Sequence, residues 1–184
     1  MGFDKNINYD LGDIMFYYNF SNKIYEGTPY MTDDTSIIFK YSNETDLLLD
    51  YTISLGGSSR YLMDLSHKTG RCGPLRCFMA GVKVIQEELK IPQSRRGELY
   101  FKSTKEMTQY SGTMYMTFKD TCYYDEKNNI LCIGNLSQEG EIIEFVRNTY
   151  AVVNRNDLVA VFMKVDCLKE NIAIRKGQMY QKLN

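Results

Sequence analysis

The sequence predicts an α+β fold: mainly antiparallel β-sheet or open barrel, with one principal amphipathic helix (about 74–90) packed on it. Three observations predict it. Short runs rich in Tyr, Phe, Ile and Val recur between clusters of Gly, Asn, Asp and Ser, the pattern of strands and turns. Strands and helices do not alternate regularly, which argues against a doubly wound sheet. Leu75, Phe78, Met79, Val82, Ile85 and Leu89 form one apolar stripe at helical spacing.

The elements follow in order. Ile14 to Phe20 is aromatic and strand-like; Ser21-Asn22-Lys23 turns the chain, and Ile24-Tyr25 begins a return. Gly27-Thr28-Pro29 breaks the pattern. Ser36 to Tyr41 is a second short strand, and Leu47 to Ser54 is a near-continuous apolar run of strand length. Gly56 to Ser59 is a loop before another strand at Arg60 to Leu65. In the helix, Pro74 suits the first turn because its missing N–H is no loss there. Arg76, Lys83, Glu87 and Lys90 fall off the stripe and face water, and Pro92 ends the element.

Glu98 to Lys102 is a short strand. From Met114 to Tyr124 the apolar residues fall on even positions, which predicts one half-buried strand. Asp125 to Asn129 turns into its partner, Ile130 to Ile133. Glu141 to Val153 suits a helical turn at its start and a strand at its end. Leu158 to Val165 is apolar enough for a central strand.

A chain of 184 residues predicts a single domain, 1–184. At that size roughly 70% of the unfolded surface can be buried, so a core needs neither disulfides nor a metal. Hydrophobic residues at 43% and charged residues at 24% exclude a disordered tail or a fibrous repeat. Formal charge is -1, so nothing global draws the chain to nucleic acid or to an anionic membrane. Met1 to Asp10 has no apolar h-region, and no apolar run approaches the roughly 18 residues of a span. Five cysteines (Cys72, Cys77, Cys122, Cys132, Cys167) are an odd number in a chain that needs no staples. They read as free thiols in a reducing, cytoplasmic setting.

For function, the informative stretch is the pair of loops around Ser58–Arg76. The second loop runs into the predicted helix N-terminus, where unpaired N–H groups and glycine's close approach favour an anion. Ser58, Arg60, Lys68, Arg71, Gly73 and Arg76 are the expected ligand-binding residues, the arginines as bidentate donors. Cys72 is a candidate thiol, since a helix start and neighbouring Arg lower a thiol's pKa; His67 and Asp64 complete a Cys-His-Asp set on paper. The acidic pairs Asp33-Asp34 and Asp125-Glu126 sit where Asp serves turns, and His67, Cys72 and Cys77 lack metal-site spacing. No metal and no cofactor is expected. Arg95, Arg96, Lys102 and Lys105 form a basic cluster near Tyr100, Phe101 and Tyr110, and Lys164, Lys169, Arg175 and Lys176 form another.

These readings predict a non-catalytic binding protein that holds a protein partner or a small anionic, nucleotide-like ligand, as a regulator or inhibitor. One alternative is an enzyme acting on a phosphate-bearing substrate through the Ser58–Arg76 loops. The other is a nucleic-acid-associated protein using the Arg95–Lys105 cluster.

Overall fold

The computed structural model describes residues 8–9, 14–43, 49–104, 113–137 and 139–167. They form two mixed β-sheets that share one core, and no helix occurs among them. In chain order the strands are β1 (Asn8–Tyr9), β2 (Ile14–Phe20), β3 (Gly27–Met31), β4 (Ser36–Tyr41) and β5 (Tyr51–Leu55). Next come β6 (Tyr61–Leu65), β7 (Cys72–Phe78), β8 (Val84–Gln86), β9 (Arg95–Ser103) and β10 (Thr113–Met116). The last five are β11 (Cys122–Asp125), β12 (Ile130–Gly134), β13 (Glu141–Val146), β14 (Thr149–Asn154) and β15 (Asp157–Lys164). The seven-stranded sheet has the order β1-β10-β5-β6-β7-β4-β3, and the eight-stranded sheet β2-β9-β13-β14-β15-β12-β11-β8.

The eight-stranded sheet is buried on both faces along its centre. Leu131, Ile133, Val161 and Met163 point into the core between the sheets. Their neighbours Ile130, Cys132, Ala160 and Phe162 point the other way, into a second core with Val152. Double burial explains why β12 and β15 read as unbroken apolar runs rather than alternating ones. Leu89, with Ile91 packed beside it, closes that second core from the extended segment after β8.

The predicted helix is therefore corrected: residues 74–90 are a strand, a turn, a short strand and an extended strap. In β7, Leu75 and Cys77 are buried while Arg76 is half-exposed and Phe78 exposed, a period of two. Gly73 and Pro74 lie in a β-bulge opposite β6, between the Met63↔Leu75 and Leu65↔Cys72 pairs, where proline's missing donor is tolerated. The Val82 N–H then donates to the Met79 carbonyl at 3.1 Å across a turn that holds Gly81 at φ +70. That glycine would cost a helix interior about 1 kcal/mol, and β-branched Val82, Val84 and Ile85 add to the preference for extended chain. β8 pairs in parallel with β11, Val84 opposite Cys122. The helical stripe was a composite. Leu75, Met79 and Val82 serve the core between the sheets, and Leu89 serves the second core. Phe78 and Ile85 stand 43% and 40% exposed.

Three further segments differ from expectation. Gly27-Thr28-Pro29 opens an edge strand instead of breaking one. Met114 to Tyr124 is two strands, β10 and β11, in different sheets. Glu141 to Val153 is the β13–β14 hairpin. Ile24-Tyr25 makes only a bridge to Val146. Leu47, Lys105, Tyr110, Lys169, Arg175 and Lys176 lie outside the described residues. Among those described, no helix is long and apolar enough to cross a membrane.

Candidate functional site

The pairing of β2 with β9 sets Tyr17 opposite Tyr100 and Met15 opposite Lys102 on one face. Such cross-strand neighbours sit about 5 Å apart at Cβ. The Tyr17 hydroxyl turns to Met15 Sδ at 3.7 Å and the Tyr100 hydroxyl to Glu98, so the rings lean apart along the face that carries Lys102. The turn between β6 and β7 forms the wall. Its Gly70 accepts from the Phe101 N–H at 2.8 Å and donates to the Ser66 carbonyl at 2.8 Å. Gly70 has φ +72, and a Cβ there would lie 2.5 Å from the Phe101 carbonyl oxygen, so only glycine lets the turn lie against β9. The result is an open groove of about 520 Å³ lined by Tyr17, His67, Thr69, Tyr100, Lys102 and Ser103.

His67 is held from two sides. Its Nδ1 pairs with Asp50 Oδ2, its backbone N–H donates to Asp50 Oδ1 at 3.0 Å, and its ring lies 5.5 Å from that of Tyr51. The His67 backbone N–H, with help from the ring, holds the Asp50 carboxyl below the usual carboxylate range. Burial, reinforced by neighbouring Glu98, pushes the Tyr100 hydroxyl up, so it is a neutral donor at pH 7. Lys102 has no ion pair among the described residues. An aromatic ring beside an unpaired ammonium can stack a flat ring and attract an anion.

The sequence-derived site residues are dispersed. Ser58 and Arg60 lie at one end of β6 and Lys68 and Arg71 at the other, five strand residues or roughly 17 Å apart. Arg60 donates to the Gly81 carbonyl at 3.3 Å. Arg71 stacks 4.5 Å over the Tyr25 ring, pairs with Glu98 at 3.3 Å and donates to the Lys23 carbonyl. Arg76 is bound instead to Asp64 at 2.6 Å and to the Thr52 hydroxyl at 3.4 Å. Gly73 is buried, and a Cβ there would lie 2.6 Å from Leu49 Cδ1, so its bareness serves packing. Lys68 is exposed on the β6–β7 turn, next to His67.

With the helix goes the helix N-terminus that motivated an anion cradle at Gly70–Cys77. Cys72 is buried, and burial pushes its thiol up, the opposite of activation. The carboxylate that orients His67 is Asp50, not Asp64. Of the basic cluster, Arg95 pairs with Glu141 at 3.1 Å and stacks on Phe20, and Arg96 pairs with Glu144 at 3.1 Å. Asp34 and Asp125 accept hydrogen bonds within their own turns. No three His, Cys, Asp or Glu side chains among the described residues gather as a metal site.

Sequence reasoning had placed Tyr100 and Lys102 near one another but missed Tyr17, because β2 and β9 are distant in the chain. The alternation of β9 was readable; its partner strand was not. No protein family and no curated protein matches this chain.

Proposed function

We propose that this chain is a non-catalytic binding protein whose groove takes a small anionic ligand carrying a flat ring, a nucleotide-like molecule. One observation carries the reading: Tyr17 and Tyr100, opposite each other in the β2–β9 register, line one groove with the unpaired Lys102. The ring would stack on a tyrosine, the anion would meet Lys102, and His67, fixed through Asp50, would supply a further polar contact. The arginines that a phosphate-processing loop would need are occupied by Glu98 and Asp64, which favours binding in the groove over chemistry in the loops. Free thiols at all five cysteines suit a reducing cytoplasm.

Thermal shift with AMP, adenosine and inorganic phosphate tests the reading. AMP should stabilise the chain more than either half-ligand, by about 2.7 kcal/mol at a hundredfold excess over its Kd. Tyr100→Ala should abolish the effect of adenosine, and Lys102→Met should reduce AMP to the level of adenosine. Equal stabilisation of wild type and both variants would remove the groove as the site.

A further inference from the structure

The free edges of the two sheets are protected unequally. On β3 the outer edge is occupied: the Met31 N–H donates to the Asp166 carbonyl at 3.1 Å and the Asp166 N–H to the Pro29 carbonyl at 2.8 Å. β8 and β1 are edges of only three and two residues. β2 is an edge of seven residues without charge or proline, covered by a turn only at Phe16.

The direction of its backbone groups follows from its neighbours. The Phe16 N–H donates to the Asn156 carbonyl at 2.7 Å, and the Phe101 N–H to that of Gly70 at 2.8 Å. Phe16↔Phe101 is therefore a non-hydrogen-bonded pair whose members turn their groups away from each other. By alternation Tyr18 and Phe20 do the same. Asn156 caps Phe16 completely, since its Nδ2 also donates to the Phe16 carbonyl at 2.9 Å. Past that cap, no hydrogen bond among the described residues takes the outward N–H and C=O of Tyr18 or the N–H of Phe20.

We propose that a second copy of this chain adds its own β2 to this edge, antiparallel about a two-fold axis at Asn19. Tyr18 of each copy then meets Phe20 of the other as a hydrogen-bonded pair, giving four backbone bonds, and Asn19 faces Asn19. The register fits the ends of the open segment. Each β2 finishes at Phe20, where Ser21 turns back to the Arg96 carbonyl, so neither strand runs on into the Asn156 cap of the other copy. An uncharged strand sets no like charges opposite each other. The Tyr18 and Phe20 rings, 5.2 Å apart within one copy, gather with their equivalents into a four-ring cluster. Tyr17 lies on the same face as Asn19, so pairing joins the two grooves across one continuous sheet. So few residues a side bury less than the roughly 800 Å² per partner of a standard interface, and the dimer is weak and concentration-dependent.

Sedimentation velocity from about 1 μM to about 1 mM should show a monomer–dimer equilibrium, with the measurable range set by a short interface. Asn19→Lys and Asn19→Glu, each alone, should weaken association at least about tenfold by placing like charges on the axis. An equimolar mixture of the two should restore it, with circular dichroism confirming that both fold. A wild type monomeric throughout, variants that dimerise as the wild type does, or a mixture no better than its parts would overturn the proposal. Asn19 lies outside the groove, so AMP binding reads out separately.

Discussion

The two sheets share a core, but their far faces have opposite fates. The eight-stranded sheet carries a second core under the strap at Leu89, with Cys132, Ala160 and Phe162 wholly buried there. The seven-stranded sheet turns Arg76, Asp64, Ile38 and Phe78 outward to solvent. Strands of the two sheets thus carry different sequence patterns: ILCIG and LVAVFM where both faces are dry, and alternation where one is wet. The groove and the open edge both lie at the β2–β9 margin of the eight-stranded sheet, where the β14–β15 turn reaches β2 through Asn156.

The sharpest way to break this contrast is to truncate one phenylalanine on each far face. Phe162→Ala should cost about 3–5 kcal/mol, since it opens a cavity in a closed core. Phe78→Ala, at a site 43% exposed, should stay within about 0.5 kcal/mol. Urea unfolding with unchanged slope measures both. A large cost at Phe78 would mean that the outer face of the seven-stranded sheet is covered after all. Leu89→Ala comes next, at about 2–4 kcal/mol, because the strap closes the second core through that side chain.

The strap is fastened by Asp125. Its carboxylate accepts from the Leu89 N–H at 2.9 Å, the Lys127 N–H at 2.9 Å, and the Asn128 N–H and Nδ2 at 3.0 and 2.8 Å. Burial alone would raise its pKa. The bonds from Asn128, Leu89 and Lys127 outweigh burial, and the net shift is downward. Because the folded value lies below the unfolded one of about 3.9, the stabilisation is present above pH 4. It is lost as pH falls through the folded value. Asp125→Ala should therefore cost about 1–3 kcal/mol at pH 7, through the stranded Leu89 N–H, and clearly less near pH 2. A cost that does not change with pH would mean that the strap is held by packing alone.

Much of the strand inventory was legible because it rests on local composition: Ile14 to Phe20, Ser36 to Tyr41 and Ile130 to Ile133 all emerge as strands. The segment 74–90 was not. Its apolar residues serve two cores, and only the position of β11 and of the second core shows which residue serves which. Gly81 was the local warning. The site was legible as residue types and not as pairs. Asp50 reaches His67 through the β5–β6 hairpin register, Tyr51 opposite Leu65. Arg71 and Arg76 looked like free donors because Glu98 and Asp64 become their partners only once strands are side by side.

The smallest expected effect probes the wet face directly. Arg76 and Asp64 form a 2.6 Å ion pair whose side chains are 39% and 22% exposed. In water-accessible surroundings such a pair gains little over its solvated ions, and ordering two side chains offsets part of that gain. A double-mutant cycle of Arg76→Met with Asp64→Asn should give a coupling of about 0.2–1 kcal/mol, with methionine keeping the packing of the aliphatic stem. Added salt should shrink it further, since exposed charges are screened within about 3 Å at 1 M. A coupling above about 2 kcal/mol that resists salt would be the signature of a desolvated pair. It would require a cover over β6 and β7, and the seven-stranded sheet would then be as doubly buried as its partner.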